Sequence, residues 1–192
     1  MRLDHIAFRV KDRNKTAKLL QDAFGYRVQQ EFTIDFDDGT KAKCIALEPT
    51  EKSNDQDFPW THLIHQVGSV IGDGMTDDVK HEYHTPPEIF VSNGEPGSVV
   101  EKWVNNRDGV GGIHHLAFQV DDVRAEMLKW KDKYGAEFTS DDILTCPDDE
   151  LHQIFMKPHP LLGVVIEFIR RGDKGFCEAN VKDLMTSTKD LK

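Results

Sequence analysis

The feature that most constrains this chain is a short pattern that occurs twice. Residues 3–12 read LDHIAFRVKD and residues 113–122 read IHHLAFQVDD. In both, a His is followed by an apolar residue, Ala, Phe, a polar residue and Val, with Asp two positions later. A Gly suited to a left-handed helix end stands at the same distance from each His, since 25 − 5 = 20 and 135 − 115 = 20. Agreement in residue type, order and spacing indicates a duplicated unit.

The segments between each His and Gly predict helices. Apolar residues recur there at helical spacing and form one stripe in each copy, which we expect to pack on a sheet. In the first copy these residues are Ala17, Leu20 and Phe24, and in the second they are Met127, Trp130 and Tyr134.

Apolar runs downstream of the helices predict strands. They are KAKCIALEP and PEIFVSN in the first copy, and LHQIFMKP and GVVIEFIRR in the second. The chain is therefore predicted to be α+β, with two tandem βαβββ modules that form one curved mixed sheet. The expected segments are a first module over 1–95 with an inserted loop at about 50–86, a linker over 96–112, a second module over 113–171, and a C-terminal segment with a helix over 172–192.

Strand alternation assigns the repeated histidines to the concave side of this sheet. Ile6, Phe8 and Val10 make one fully apolar face, which we expect to pack against helices. His5 then lies on the other face, as does His115 in the second copy. We call the concave face of the sheet the cup.

A carboxylate joins these histidines on the second copy's last strand. Glu167 interrupts an apolar run, where a buried charge is costly unless a partner compensates it. Two His and one Glu on one face suggest a metal-binding cup with open coordination positions. A lone strand His is more often a structural residue, but the duplication favours His5 and His115 as ligands. Glu88, on the corresponding strand of the first module, is a candidate fourth ligand, and His114 is expected on the opposite face.

Charge and composition exclude several classes of function. The net charge of −10 leaves no basic stripe for nucleic acid. No stretch approaches the length of a membrane span, and there is no apolar leader. The three cysteines, Cys44, Cys146 and Cys177, show no CxxC spacing, so neither a disulfide framework nor a zinc ribbon is expected. These features favour a cytoplasmic protein.

Three segments resemble the vicinal oxygen chelate superfamily. They are LDHIAF, GGIHHLAFQVDDV and GVVIEF. This superfamily includes glyoxalase I, methylmalonyl-CoA epimerase, extradiol dioxygenases and 4-hydroxyphenylpyruvate dioxygenase. The resemblance implies paired βαβββ modules and a divalent metal held by His5, His115 and Glu167. A homodimer is an oligomeric state we consider.

The C-terminal stretch Leu151–Ser187 resembles the end of 4-hydroxyphenylpyruvate dioxygenase. The resemblance implies a catalytic role for Gln153 and a substrate-binding or gating role for Phe176, Asn180 and Gln119. Such dioxygenases are about twice as long, and residues 30–87 match them poorly. The stretch before the second His, VVEKWVNNRDGV, is similar to methylmalonyl-CoA epimerase instead, although Cys44 stands where that enzyme carries an acid–base Glu.

Three functions follow from these resemblances. The first is a non-haem Fe(II) dioxygenase that takes a small α-keto acid and O₂. The second is an epimerase or isomerase that uses Co(II), Zn(II) or Ni(II), stabilises an enolate, and employs Glu88 as a ligand or acid–base group. The third is a metal-free protein that binds a small molecule in the cup.

Overall fold

The computed structural model describes residues 1–49, 87–172 and 174–189 of the 192-residue chain. These residues form eight strands and four helices. The strands are β1 Arg2–Val10, β2 Tyr26–Asp35, β3 Lys41–Pro49, β4 Glu88–Gly94, β5 Gly111–Gln119, β6 Leu144–Thr145, β7 His152–Met156 and β8 Val165–Arg170. The helices are α1 Arg13–Phe24, α2 Val99–Asn105, α3 Val123–Tyr134 and α4 Glu178–Ser187. The expected inserted loop at 50–86 lies outside the described residues.

All eight strands form one mixed sheet in the order β2-β3-β4-β1-β5-β8-β7-β6. Each repeat supplies one half, and the halves meet where β1 pairs antiparallel with β5. Within the halves, β1 runs parallel to β4 and β5 runs parallel to β8. The predicted α+β fold with two βαβββ modules is confirmed. The copies differ at their second strand, which has ten residues in β2 and only two in β6.

The two repeat helices are capped in the same way. Asp12 accepts a hydrogen bond from the backbone N–H of Lys15, and Asp122 accepts one from Ala125. Gly25 and Gly135 end the helices in the left-handed conformation, as predicted.

The apolar stripes of these helices are shorter than predicted. Ala17 and Met127 are buried against the convex face of the sheet, but Phe24 and Tyr134 lie exposed in the last turns. Helix ends project beyond the sheet, so spacing alone overestimates what they bury.

The C-terminal helix α4 packs on the cup. Val181 and Met185 join a buried cluster with Ala7 and Phe90 of the sheet. Helix α2, within the predicted linker, adds Val100 to the same cluster. The cup is therefore enclosed by helices. In the described part of the chain, no helix has the length and apolar composition needed to cross a membrane.

A disulfide ties α4 to the sheet. Cys146, just after β6, is bonded to Cys177, the N-cap residue of α4, with the Cα atoms 6.1 Å apart. The expectation that no cysteines pair was therefore wrong. Thirty-one positions separate the two residues in sequence, and only the fold brings the end of β6 to the start of α4. Cys44 is free and buried.

Candidate metal centre

Strand register places the predicted ligands in adjacent rows across the sheet. His5 pairs with Ala117 on β5, and Ala117 pairs with Glu167 on β8. The neighbouring row pairs Ala7 with His115. Because both alanines carry only a methyl group, the longer side chains beside them have room to converge above the sheet.

The three side chains meet at one point in the cup. His5 Nε2 and His115 Nε2 are 3.2 Å apart, and Glu167 Oε2 lies 3.4 Å from the first and 3.2 Å from the second. All three residues are buried. Bonds of about 2.1 Å to one ion, typical of imidazole and carboxylate ligands, would place such atoms roughly 3.0–3.4 Å apart. The donor set therefore fits a divalent metal, and His5, His115 and Glu167 form a group that could hold one.

Electrostatics keep two of these groups in the form that a metal needs. Burial by itself raises the pKa of Glu167, but the charges and hydrogen bonds of His5 and His115 hold that pKa well below its usual range. Burial lowers the pKa of His115 to about 4, so this imidazole is neutral at physiological pH. The carboxylate is charged and His115 has a free lone pair.

His5 differs because two carboxylates face it. Burial lowers its pKa, yet Glu167 and Asp4 together raise that pKa above the usual value. His5 Nδ1–H donates to Asp4 Oδ1 at 2.7 Å, which turns Nε2 toward the other ligands. This carboxylate–imidazole pair is the usual device for orienting a histidine ligand.

Asp4 is itself held by Arg171, which also binds Glu88. The guanidinium donates to Asp4 Oδ1 at 2.6 Å and to Glu88 Oε2 at 2.8 Å. Glu88 pairs in register with His5 on the other side of the row, but its carboxylate is turned to Arg171. The structure does not bring Glu88 into the group of three donors.

Gln153 and Asn180 lie on the other side of Glu167. Gln153 Nε2 donates to Glu167 Oε1 at 2.7 Å, and Asn180 Nδ2 donates to Gln153 Oε1 at 3.0 Å. All three side chains are buried. This chain of bonds fixes one oxygen of Glu167 and leaves Oε2 directed at the histidines. It also anchors α4, which carries Asn180, to the centre.

A cavity of about 390 Å³ opens over the three donors. Phe90, Phe155 and Phe176 contribute to its mostly apolar wall. Phe176 stands edge-on to His5 with ring centroids 5.1 Å apart. Gln153 also lines this cavity. A pocket of this size suits a small molecule.

Gln119, expected to bind substrate, is not among the residues that line the cavity. It lies at the far end of β5, where its side chain accepts a hydrogen bond from Arg2 at 2.9 Å. Cys44 is buried in the apolar cluster of the cup, and burial raises the pKa of its thiol to about 12.

Two irregularities in the β1–β5 pairing explain what the sequence prediction missed. The register shifts between Leu3 and His5, and again where Ala7 pairs with His115 but Phe8 pairs with Ile113. Asp4 and His114 are the extra residues, and such bulges re-aim side chains. His114, expected on the opposite face, instead lines the cavity, with its Nδ1 2.8 Å from His115 Nδ1. Strict alternation cannot reveal a bulge; the Asp-His and His-His pairs are its only trace in the sequence.

The fold matches solved structures of two kinds at 20% identity. One is 4-hydroxymandelate synthase from Streptomyces coelicolor, with a TM-score of 0.69 over 98% of this chain. This chain spans only 53% of that protein. The other is methylmalonyl-CoA epimerase: one structure has a TM-score of 0.61 over 90% of this chain and 97% of that one. The epimerase from Mycobacterium tuberculosis gives 0.54, over 90% and 89%. At this identity the likeness shows the fold alone.

A family model gives the assignment that these structures cannot. It describes the Glyoxalase/Bleomycin resistance protein/Dioxygenase superfamily and matches residues 4–145. No curated protein matches the chain. The resemblance seen in the repeated segments is confirmed, and the chain belongs to the glyoxalase/bleomycin resistance/dioxygenase superfamily.

Proposed function

We propose that this protein is a metal-dependent enzyme acting on a small carbonyl compound, and specifically a non-haem Fe(II) dioxygenase of a small α-keto acid. The observation that carries the proposal is the convergence of His5 Nε2, His115 Nε2 and Glu167 Oε2 within 3.4 Å of one another. Two imidazoles and one carboxylate on one side of an ion form the facial arrangement of such oxygenases. Fe(II) bound there would supply Lewis acidity and a site where a keto acid and O₂ react.

The chain's own residues hold and shield this centre. Asp4 orients His5, and Gln153 holds the outer oxygen of Glu167. Phe155 and Phe176 line the cavity with apolar surface, which keeps bulk water from the reacting atoms. We assign Phe176 and Asn180, which lie on the segment that covers the cup, to substrate gating. Gln153 is near enough to the donors to contact bound substrate as well.

Three ligands rather than four favour a dioxygenase over an isomerase. A fourth ligand would occupy a position that a chelating substrate or O₂ needs, and Arg171 already holds Glu88. An epimerase also needs groups that carry protons to and from carbon. Among the described residues lining the cavity, Glu167 is the only carboxylate. Cys44, with its raised pKa, stays a protonated thiol at neutral pH.

The isomerase remains the second candidate because of chain length. The epimerase structure is covered over 97% of its length, whereas the hydroxymandelate synthase is covered over 53%. A protein of this size therefore suffices for the epimerase fold. In that case the same three residues would hold Co(II), Zn(II) or Ni(II), and the metal would stabilise an enolate.

Metal analysis after anaerobic purification, combined with O₂ uptake, separates these functions. We expect about one iron per chain and O₂ consumption that depends on an α-keto acid, tested with a panel that includes 4-hydroxyphenylpyruvate. The H115A variant should bind metal at least about 100-fold more weakly, since losing even an outer partner of a ligand costs 10–100-fold. H159Q, in the turn after β7, is the matched control and should behave as the unaltered protein.

The other outcomes contradict the dioxygenase. Stoichiometric metal without O₂ uptake on any keto acid would favour the isomerase. A protein that takes up no divalent metal would be a binding protein, the third function that the sequence suggests.

A further inference from the structure

Arg9 is a buried cation in the wall of the cavity. It lies four residues after His5 on β1, its side chain is on the same face, and only 2% of it is exposed. It lines the cavity that holds His5, His115 and Glu167. Four strand residues correspond to about 13 Å, so Arg9 marks the end of the cup away from the metal centre.

The described residues do not neutralise this charge. Arg9 Nη2 donates to Thr188 Oγ1 at 2.9 Å, a neutral acceptor after α4. Nη1 is buried and has no hydrogen-bond partner among the described residues. The group beside it on the Trp103 ring is another cation, Arg107, 3.8 Å from the ring centroid. Burial lowers the pKa of Arg9 to about 9, which still leaves it charged at neutral pH.

A buried charge without a counter-ion is expensive, and removing one partner of a buried pair strongly destabilises a protein. A ligand anion that enters the cavity would supply the missing partner. His114 offers a second unsatisfied donor site on the same wall, because its Nε2 is buried without a partner among the described residues. With His115 bound to metal through Nε2, its Nδ1–H donates to His114 Nδ1, and His114 then carries its own proton on Nε2.

We infer that Arg9 binds a second carboxylate of the substrate, so that the substrate class is a 2-oxo dicarboxylate. This rests on the proposed function, in which the 2-oxo acid end chelates the metal. The distal carboxylate then accepts from Arg9 Nη1, with the Nε2–H of His114 beside it. Phe90 and Phe155 line the cavity in which the apolar carbons between the two ends would lie. A carboxylate suits the site better than a phosphate, since one guanidinium and one imidazole cannot satisfy a phosphate's oxygens.

Calorimetric binding under anaerobic conditions tests this inference. The Fe(II)-loaded protein is titrated with 2-oxoglutarate, 2-oxoadipate and 2-oxopimelate, and with the monocarboxylates 2-oxopentanoate, 2-oxohexanoate and 2-oxoheptanoate. We expect the best dicarboxylate to bind at least about tenfold more tightly than its monocarboxylate counterpart, as one charge-assisted hydrogen bond predicts. R9Q should remove this preference and keep monocarboxylate binding, and R9K should retain part of it.

R107Q is the matched control, because it removes a neighbouring guanidinium that does not line the cavity. It should keep the full preference. Equal affinities of the unaltered protein for dicarboxylates and monocarboxylates would overturn the inference, and this comparison does not depend on any variant folding. A preference that survives in R9Q would overturn it as well.

A second titration separates this inference from the metal proposal. Adipate has no keto group and is titrated into the metal-free protein. We expect weak binding that R9Q reduces about tenfold and R107Q leaves unchanged. Arg9-dependent binding of adipate by a protein that takes up no metal would support the carboxylate site while removing the dioxygenase. Adipate binding that is the same in R9Q would contradict the role of Arg9 whether or not metal binds.

Discussion

Glu167 is a carboxylate that stays charged although only 1% of it is exposed. Its charge is compensated within hydrogen-bonding distance by two imidazoles and by the amide of Gln153. Without metal, the proton shared among these groups resides on His5, whose pKa is raised, rather than on His115, whose pKa is about 4. The two histidines are therefore equivalent in the repeat but not in their protonation.

The first prediction is that metal binding competes with one proton on His5. A metal needs the Nε2 lone pair, so the protonated form must lose its proton first. Because the pKa of His5 lies above 6.5, affinity should be independent of pH above that raised value. Below it, affinity should fall by about tenfold per pH unit. Measuring the Co(II) dissociation constant from pH 5 to 9 checks this.

D4N provides the comparison for this pH profile. It removes one of the two carboxylates that raise the pKa of His5, so the point where affinity begins to fall should move to lower pH. Loss of the orienting carboxylate should also weaken binding about 10–100-fold at high pH. A profile with the same midpoint in both proteins would show that His5 is not the competing group.

At the scale of elements, the end of the chain is fixed to the cup in two ways. The Cys146–Cys177 disulfide holds the start of α4, and the bond from Asn180 to Gln153 holds its first turn. The disulfide closes a loop that contains β7 and β8, and β8 carries Glu167. Constraining that loop reduces the freedom of the unfolded chain.

The second prediction concerns the stability given by this disulfide. The double variant C146S/C177S should lose about 2–4 kcal/mol of unfolding free energy, the usual effect of a loop of this length. Urea denaturation monitored by tryptophan fluorescence measures it. Adding dithiothreitol should lower the stability of the unaltered protein to that of the variant and should not affect the variant further. Identical urea midpoints for oxidised protein and variant would show that the disulfide does not contribute.

At the scale of the whole molecule, the centre exists only when both halves are joined. His5 comes from the first repeat, and His115 and Glu167 come from the second. The β1–β5 pairing at the middle of the sheet brings them together. A ligand that binds the folded state alone stabilises it in proportion to its concentration over its dissociation constant. Metal binding should therefore report on the union of the halves.

The third prediction follows from this linkage. Co(II) at a hundred times its dissociation constant should raise the unfolding free energy by about 2.7 kcal/mol. H5A removes a ligand of the first half only, and H115A one of the second half only; at the same Co(II) concentration each should lose most of this gain. H159Q should keep it. If H5A were stabilised as much as the unaltered protein, the second half alone would hold the metal and the joint centre would be disproved.

The sequence by itself determined the duplication, the α+β modules, the helix ends at Gly25 and Gly135, and three side chains on one face. These depend on local geometry, because strand alternation and helix capping act over a few residues. The convergence of His5, His115 and Glu167 followed from the same alternation once the repeat was recognised.

Only the tertiary structure decided which further groups meet at the centre. The bulges that turn Asp4 and His114 inward arise from the pairing of two distant strands. The capture of Glu88 by Arg171 joins β4 to the end of β8, and the disulfide joins residues from separate elements. The unpartnered buried charge of Arg9 is likewise defined by what surrounds it in space. Such contacts depend on the positions of whole strands, which no local pattern encodes.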